Sequence, residues 1–190
     1  MNATTIRAQP TIALLGQPNS GKSTLFNGLT GARQRVGNWP GKTVEKKEGY
    51  FDRGSVRYRV TDLPGTYSLS ANSEEEIITR DYIASGQADV VCILADSSQL
   101  SRSLFMLADY AGMQCPAVLL LNLMDVANTQ GKTVDAAKLE EKLKIPVIPF
   151  VAADRRQYDG FFEAVDRALK EKKRIHIAPL IEKCRAIENR

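Results

Sequence analysis

A chain of 190 residues with 43% hydrophobic and 25% charged side chains has the size and composition of one globular domain and can bury a core without disulfide or metal staples. Its three cysteines, Cys92, Cys115 and Cys184, stand far apart with neither CxxC nor Cys/His spacing, which argues against a zinc site or a disulfide framework and suits a reducing compartment. The net charge of +4 suits an anionic partner, but the basic residues are scattered without an aromatic RNA-binding signature, so no nucleic acid is expected, and no apolar run approaches the roughly 20 residues of a membrane span.

Along the chain, apolar runs alternate with amphipathic stretches. Thr11 to Leu15 predicts a buried strand and Lys22 to Leu29 the helix after it. Gly31 to Lys42 is polar, glycine-bearing and irregular, and is expected to be a mobile loop. Val44 to Phe51 and Val56 to Thr61 flank the polar Asp52-Arg53-Gly54-Ser55 and predict an antiparallel hairpin. Ser73 to Ala84 reads as a helix, with Glu74, Glu75 and Glu76 placed where the macrodipole favours negative charge. Val90 to Ala95 and Ala117 to Asn122 are short buried strands around a helix from Leu100 to Ala111. A helix from Asp135 to Leu143, a strand from Val147 to Phe150 and a helix from Gly160 to Lys170 complete the pattern. About six strands and five helices of this kind make a three-layer α/β domain whose sheet is mostly parallel with one antiparallel strand. The boundaries are a tail at 1–10, the domain at 11–170, and a separate tail at 171–190 that contains the amphipathic piece Pro179 to Glu188 and the lone His176, which has no metal-spaced partner.

The strongest chemical signal is Gly16-Gln17-Pro18-Asn19-Ser20-Gly21-Lys22-Ser23, followed by Thr24. It fits GxxxxGK[ST] between a strand and a helix. In that setting backbone N–H groups cradle phosphates, the helix N-terminus adds positive potential, Lys22 neutralises β/γ charge and Ser23 ligates Mg²⁺. Asp62-Leu63-Pro64-Gly65 ends a strand, where the carboxylate can hold a Mg²⁺-bound water and Gly65 can offer its N–H to a γ-phosphate. Asn122-Leu123-Met124-Asp125 ends another. Its carboxylate can accept from both guanine N1–H and the 2-amino group, a pair adenine does not present, so GTP should be preferred to ATP. Thr43, at the end of Gly41-Lys42-Thr43, can complete the Mg²⁺ shell only when a γ-phosphate draws its loop inward, which makes the loop a switch.

These motifs, with Arg35-Val36-Gly37-Asn38-Trp39-Pro40-Gly41-Lys42-Thr43-Val44-Glu45 and Asp62-Leu63-Pro64-Gly65-Thr66-Tyr67-Ser68-Leu69, closely resemble the two switches of the G domains of FeoB ferrous-iron transporters, a Ras-like P-loop GTPase fold. The resemblance runs from about Thr11 to about Arg167. It implies GTP hydrolysis with Mg²⁺ at the cytoplasmic face of a bacterial inner membrane, followed in the full-length protein by helical and membrane domains whose start is the tail at 171–190, and it leaves a homo-oligomer open. It also implies activation by K⁺, held by the Asn19 side chain and the carbonyls of Gly37 and Trp39. The residue after Gly65 is Thr66 rather than the glutamine of Ras-like enzymes, which supports a cation and backbone groups positioning the water. Catalysis would rest on Asn19, Lys22, Thr43 and Gly65. The family pattern is broken at Val151-Ala152-Ala153, where the serine of the fifth guanine motif is missing and an alanine N–H is left to meet guanine O6. A looser loop and fast GDP release are expected. An RNA-associated assembly GTPase and a binding module with negligible turnover are the alternative readings.

Overall fold

The computed structural model describes residues 9–175; His176, Cys184 and the stretch from Pro179 to Glu188 lie outside them. In chain order the elements are β1 (Thr11–Gly16), α1 (Lys22–Thr30), β2 (Gln34–Asn38), β3 (Glu45–Arg53), β4 (Val56–Asp62), α2 (Glu74–Ala84) and β5 (Val90–Asp96). They continue with α3 (Leu100–Tyr110), β6 (Ala117–Asn122), α4 (Met124–Thr129), α5 (Ala136–Leu143), β7 (Val147–Pro149) and α6 (Tyr158–Glu171). One seven-stranded sheet has the order β2-β3-β4-β1-β5-β6-β7. Strand β3 is antiparallel to both neighbours and all other pairs are parallel, so β3 alone runs against the sheet.

The even residues of β1, Ile12 and Leu14, join Val60, Cys92, Leu94, Val118 and Leu120 in a core against Leu25 and Phe26 of α1 and Phe161, Val165 and Ala168 of α6. The odd residues, Ala13 and Leu15, join Val91, Ile93, Leu119 and Leu121 against Ile78 and Tyr82 of α2, Met106 and Leu107 of α3 and Leu143 of α5. Because both faces are covered, β1, β5 and β6 are apolar through their interiors, Ile12 to Leu15, Val90 to Ala95 and Ala117 to Leu121, which is why they read as short continuous runs rather than alternations. Helix α2 starts where a cap exists: the Ser73 hydroxyl accepts from the Glu76 N–H (3.2 Å) and the Glu76 carboxylate accepts from the Asn72 N–H (2.9 Å). The three glutamates occupy its first turn as the dipole argument requires. The thiols of Cys92 and Cys115 are buried and free, and burial pushes that of Cys115 up to about 11.

Two elements go beyond the sequence reading. Helix α4 spans six residues and buries only Ala127, so it leaves no helical period to detect. Strand β2 overturns the mobile loop expected over Gly31 to Lys42. Its residues are exposed apart from the half-buried Gln34, so it has no apolar alternation, and it exists through pairing with β3 in the register Gly37 opposite Lys46 and Asn38 opposite Glu45. The connection closes on the Trp39 N–H donating to the Val44 carbonyl (3.0 Å) and the Lys42 N–H donating to the Trp39 carbonyl (2.9 Å). Pro40 and Gly41, the latter at φ +70°, are the central pair of a type II turn. No helix among the described residues is long and apolar enough to cross a membrane.

Adjacent positions on α3 test this packing. Met106 is fully buried whereas Phe105 is 69% exposed. Met106→Ala should destabilise the domain by about 2–5 kcal/mol in urea unfolding, and Phe105→Ala by no more than about 0.5 kcal/mol. Equal losses at the two positions would contradict the assigned helix face.

Candidate nucleotide-binding site

In an open parallel sheet, ligands bind beyond the carboxyl ends of the strands, where successive connections leave in opposite directions. Here that place is the end of β1, flanked by β4 and β5. Four predicted segments converge on it. Gly16 to Ser20 leave β1, and Gly21, at φ +93°, caps α1 in the left-handed region. A Cβ on Gly21 would lie 2.1 Å from the Asn122 side-chain nitrogen, so glycine is required there twice over. The Thr66 N–H donates to the Gly16 carbonyl (3.3 Å) and the Leu63 N–H to the Leu14 carbonyl (3.1 Å), which lays Asp62 to Gly65 along the P-loop. The backbone of Gly65 approaches so closely that a Cβ there would lie 3.2 Å from the Pro18 nitrogen and 3.3 Å from Lys22 Nζ.

Asn122, in the third segment, joins the first to the fourth. Its Nδ2 donates to the Ser20 carbonyl (2.7 Å) and its Oδ1 accepts from the Ala152 N–H (2.9 Å). After it the chain turns at Leu123, in the left-handed region at φ 58°, and this places Met124 and the exposed Asp125 in the first turn of α4. Pro18, Asn19, Ser23 and Thr24 are exposed around the P-loop, while Gln17 is buried and donates to the Arg102 carbonyl (2.9 Å).

Two charges at the centre are under-solvated. Burial pushes the Lys22 ammonium below its ordinary value, opposed by the Asp62 carboxylate, with Lys47 adding to the lowering. Burial likewise pushes Asp62 up, opposed by Lys22 and Lys47. One Asp62 carboxylate oxygen, Oδ1, is buried without a hydrogen-bond partner, as is the Ser20 hydroxyl. An unsatisfied buried acceptor costs about 1–3 kcal/mol. A phosphate oxygen at Lys22 and a divalent cation at Asp62 would remove both penalties, so the residues present fit Mg²⁺ with Asp62 and Ser23 as holders.

The switch residues stand elsewhere. The Thr43 hydroxyl donates to Glu74 of α2 (3.5 Å), and Lys42 pairs with the same carboxylate (3.3 Å). The Trp39 ring is buried edge-on against Tyr82 (centroids 5.3 Å apart), with Lys46 over its face. The Trp39 carbonyl is taken by the Lys42 N–H, and Gly37 falls on the hydrogen-bonded positions of the ladder marked by Arg33 with Tyr50 and by Trp39 with Val44. The carbonyls assigned to K⁺ are therefore engaged within the hairpin in this arrangement.

The fifth loop departs from the expectation of looseness. The Val151 N–H donates to the Gln157 side chain (2.9 Å), the Ala152 N–H to Asn122, and the Ala152 carbonyl accepts from the Tyr158 hydroxyl (2.9 Å). The Asp154 N–H returns to the Val151 carbonyl (2.8 Å), leaving Ala153 with the one N–H of 151–154 that has no acceptor among the described residues. The roles of Gln157 and Tyr158 escaped the sequence because they act through backbone groups of a neighbouring loop that no motif records, and Glu74, read only as a first-turn charge, meets Thr43 and Lys42 across 31 and 32 positions.

Residues 10–165 match a family model described as ferrous iron transport protein B. The Fe(2+) transporter FeoB of Salmonella typhimurium is 45% identical over 161 residues, which are 83% of this chain and 21% of that protein, so the chain spans about a fifth of the length of such relatives. The crystal structure of the G domain of the T. maritima FeoB iron transporter is 38% identical, with a TM-score of 0.79, covering 85% of this chain and 99% of that one. A GDP-bound variant of the S. thermophilus FeoB G domain is 39% identical, with a TM-score of 0.77, covering 85% of this chain and 60% of that one. With the family model matched over residues 10–165 and the strand order of the G-domain relatives on a Ras-like α/β fold, this chain belongs to the FeoB family and carries its G domain.

Proposed function

We propose that the domain binds GTP with Mg²⁺, hydrolyses it to GDP and phosphate, and is the nucleotide-driven switch of a ferrous-iron transporter at the cytoplasmic face of a bacterial inner membrane. The observation that carries this reading is the convergence of Lys22, the unpartnered Asp62 oxygen and the Asn122 bridge at the end of β1. The GDP held by the S. thermophilus relative supports it. The backbone of Gly16 to Thr24 cradles the phosphates, Lys22 bonds a β/γ oxygen, the Gly65 N–H meets the γ-phosphate, and Asp125 with Ala153 reads the guanine edge. Ser23, Asp62 and, in the GTP state, Thr43 would hold Mg²⁺, which supplies charge neutralisation across the phosphates. Asn19 with the carbonyls of Gly37 and Trp39 would hold K⁺, placing positive charge where other GTPases receive an arginine.

For both cations, the first switch must leave the position described above. Thr43 has to release Glu74, and the Trp39 turn has to open. The downstream helical and membrane domains would sense that motion, and Fe²⁺ is their substrate.

Asp125→Asn should shift preference from guanine to xanthine nucleotides, since an amide donates where xanthine presents a carbonyl; retained guanine selectivity in competition binding would show Asp125 misassigned. Phosphate release should be faster in KCl than in NaCl, and Asn19→Ala should remove the difference while leaving GDP binding intact. Equal rates in the two salts for the unmutated chain would reject the K⁺ assignment, and absence of turnover in both would reject the enzyme. Thr43→Ala should weaken a non-hydrolysable GTP analogue relative to GDP by calorimetry, and an unchanged ratio of the two affinities would remove Thr43 from the metal site.

A further inference from the structure

The serine missing from the guanine loop leaves the question of what holds Val151 to Ala153 in place. Three consecutive peptide groups are held by side chains: the Val151 N–H by Gln157, the Ala152 N–H by Asn122 and the Ala152 carbonyl by Tyr158, each at 2.9 Å. Two of these side chains come from the turn into α6, immediately beyond the loop. Tyr158 is 8% exposed, and its ring is fixed among Phe150, Phe161 and Phe162 at centroid distances of 5.8, 6.4 and 6.4 Å. A ring packed on three sides cannot swing away, so its hydroxyl is a rigid donor.

The other end of the arrangement lies in α1. A Cβ on Gly28 would stand 2.0 Å from the Tyr158 hydroxyl and 3.0 Å from its Cζ. Glycine in a helix interior is unfavourable and needs a reason. Here the reason is the passage of the tyrosine hydroxyl between the helix that starts at the phosphates and the loop that covers the base.

We infer that Tyr158, assisted by Gln157, is a positioning residue that sets the lifetime of bound guanine nucleotide by fixing the loop so that the Ala153 N–H faces the base. This rests on the reading above that guanine O6 meets Ala153. The tyrosine hydroxyl does from α6 what a serine hydroxyl would do from within the loop, so the base loop is tied to α6 as well as to β6, with the hydroxyl packed against Gly28 of α1. Nucleotide release is then governed by one buried hydrogen bond in addition to the Asn122 bridge.

The test is stopped-flow release of a fluorescently labelled GDP from the chain and from Tyr158→Phe, which keeps the ring packing and loses only the hydroxyl. Loss of one such bond should speed release by about two- to tenfold with an unchanged association rate. Two further diphosphates separate positioning from general loosening. The diphosphate of 2-aminopurine riboside lacks the 6-oxygen and with it the N1–H, so its release should be unaltered by the substitution and the preference for GDP over it should shrink by the same factor. Inosine diphosphate lacks only the 2-amino group read by Asp125, so the preference for GDP over it should be kept. Gly28→Ala, which would ordinarily favour a helix, should also speed GDP release by displacing the hydroxyl, and should add little to Tyr158→Phe. Unchanged GDP release in Tyr158→Phe, or equal acceleration for all three nucleotides, would overturn the inference. A wild-type chain that fails to bind GDP at all would instead overturn the nucleotide reading on which the inference stands.

Discussion

The site depends on one buried side chain. Asn122, 1% exposed, spends its amide nitrogen on the Ser20 carbonyl and its oxygen on the Ala152 N–H, and so fixes the phosphate loop and the base loop relative to each other. The two segments come from opposite ends of the domain, 132 positions apart from Ser20 to Ala152 in the chain numbering. Only the strand order β1-β5-β6-β7 brings them within reach of one amide. The amide carries its donor and its acceptor on two separate atoms, so one side chain reaches both loops at once; aspartate has no donor and would leave the Ser20 carbonyl unsatisfied in a dry place. The bridge also explains the steric demand at Gly21, whose missing Cβ is the space the Asn122 amide occupies.

Around that fixed point the binding surface divides by what holds it. The ends of β1, β4 and β6 are embedded in both hydrophobic cores, and their loops are tied by backbone hydrogen bonds. The β2–β3 hairpin is held differently. Its strand is exposed, and its attachments to α2 are an exposed ion pair, a long hydrogen bond to Glu74 and the single buried ring of Trp39. Exposed ion pairs are worth about 0–1 kcal/mol, so the buried Trp39 ring, with the half-buried Val44 beside it, holds the turn more firmly than the ion pair does. Segments that rearrange with ligand are drawn from the weakly held part of a structure, and strand β2 with the turn at residues 39–44 meets that description, while β3, paired along β4 with Phe51 in the core, does not. The two attachments on Glu74 and the Trp39 contact with Tyr82 both fall on α2, the helix that follows Asp62 to Gly65, so the two switch segments share a support.

Much of the scaffold was legible because the fold imposes it on local sequence. Strands buried on both faces must be apolar throughout, as in Val90 to Ala95 and Ala117 to Leu121, and helix α2 must begin where Ser73 and Glu76 can cap it. Strand β2 was not legible. Its five residues, Gln34 to Asn38, carry no apolar alternation, since they meet solvent rather than a core, and their extended form comes from pairing with β3. Trp39 shows the same limit from the other side: a tryptophan in a polar segment reads as a switch marker, while its burial against Tyr82 depends on where α2 packs. The hydrogen bonds that hold Val151 to Ala153 were not legible either, because they come from Asn122, Gln157 and Tyr158 on other elements.

The sequence by itself determined the chemistry on offer: a GxxxxGK[ST] loop with Lys22 and Ser23, a carboxylate at Asp62, an aspartate at Asp125 suited to the guanine edge, and glycines at the turns, all of them set by short-range spacing between a strand end and the residues that follow it. The tertiary structure alone decided how those parts are held. That Asn122 bridges two loops, that Thr43 rests on Glu74, and that Tyr158 reaches past Gly28 to the Ala152 carbonyl are contacts between residues 102, 31 and 130 positions or 6 positions apart, made across elements or around a turn. Such contacts follow from packing a twisted sheet between two helical layers, and the residues that make them obey no local period from which they could have been read.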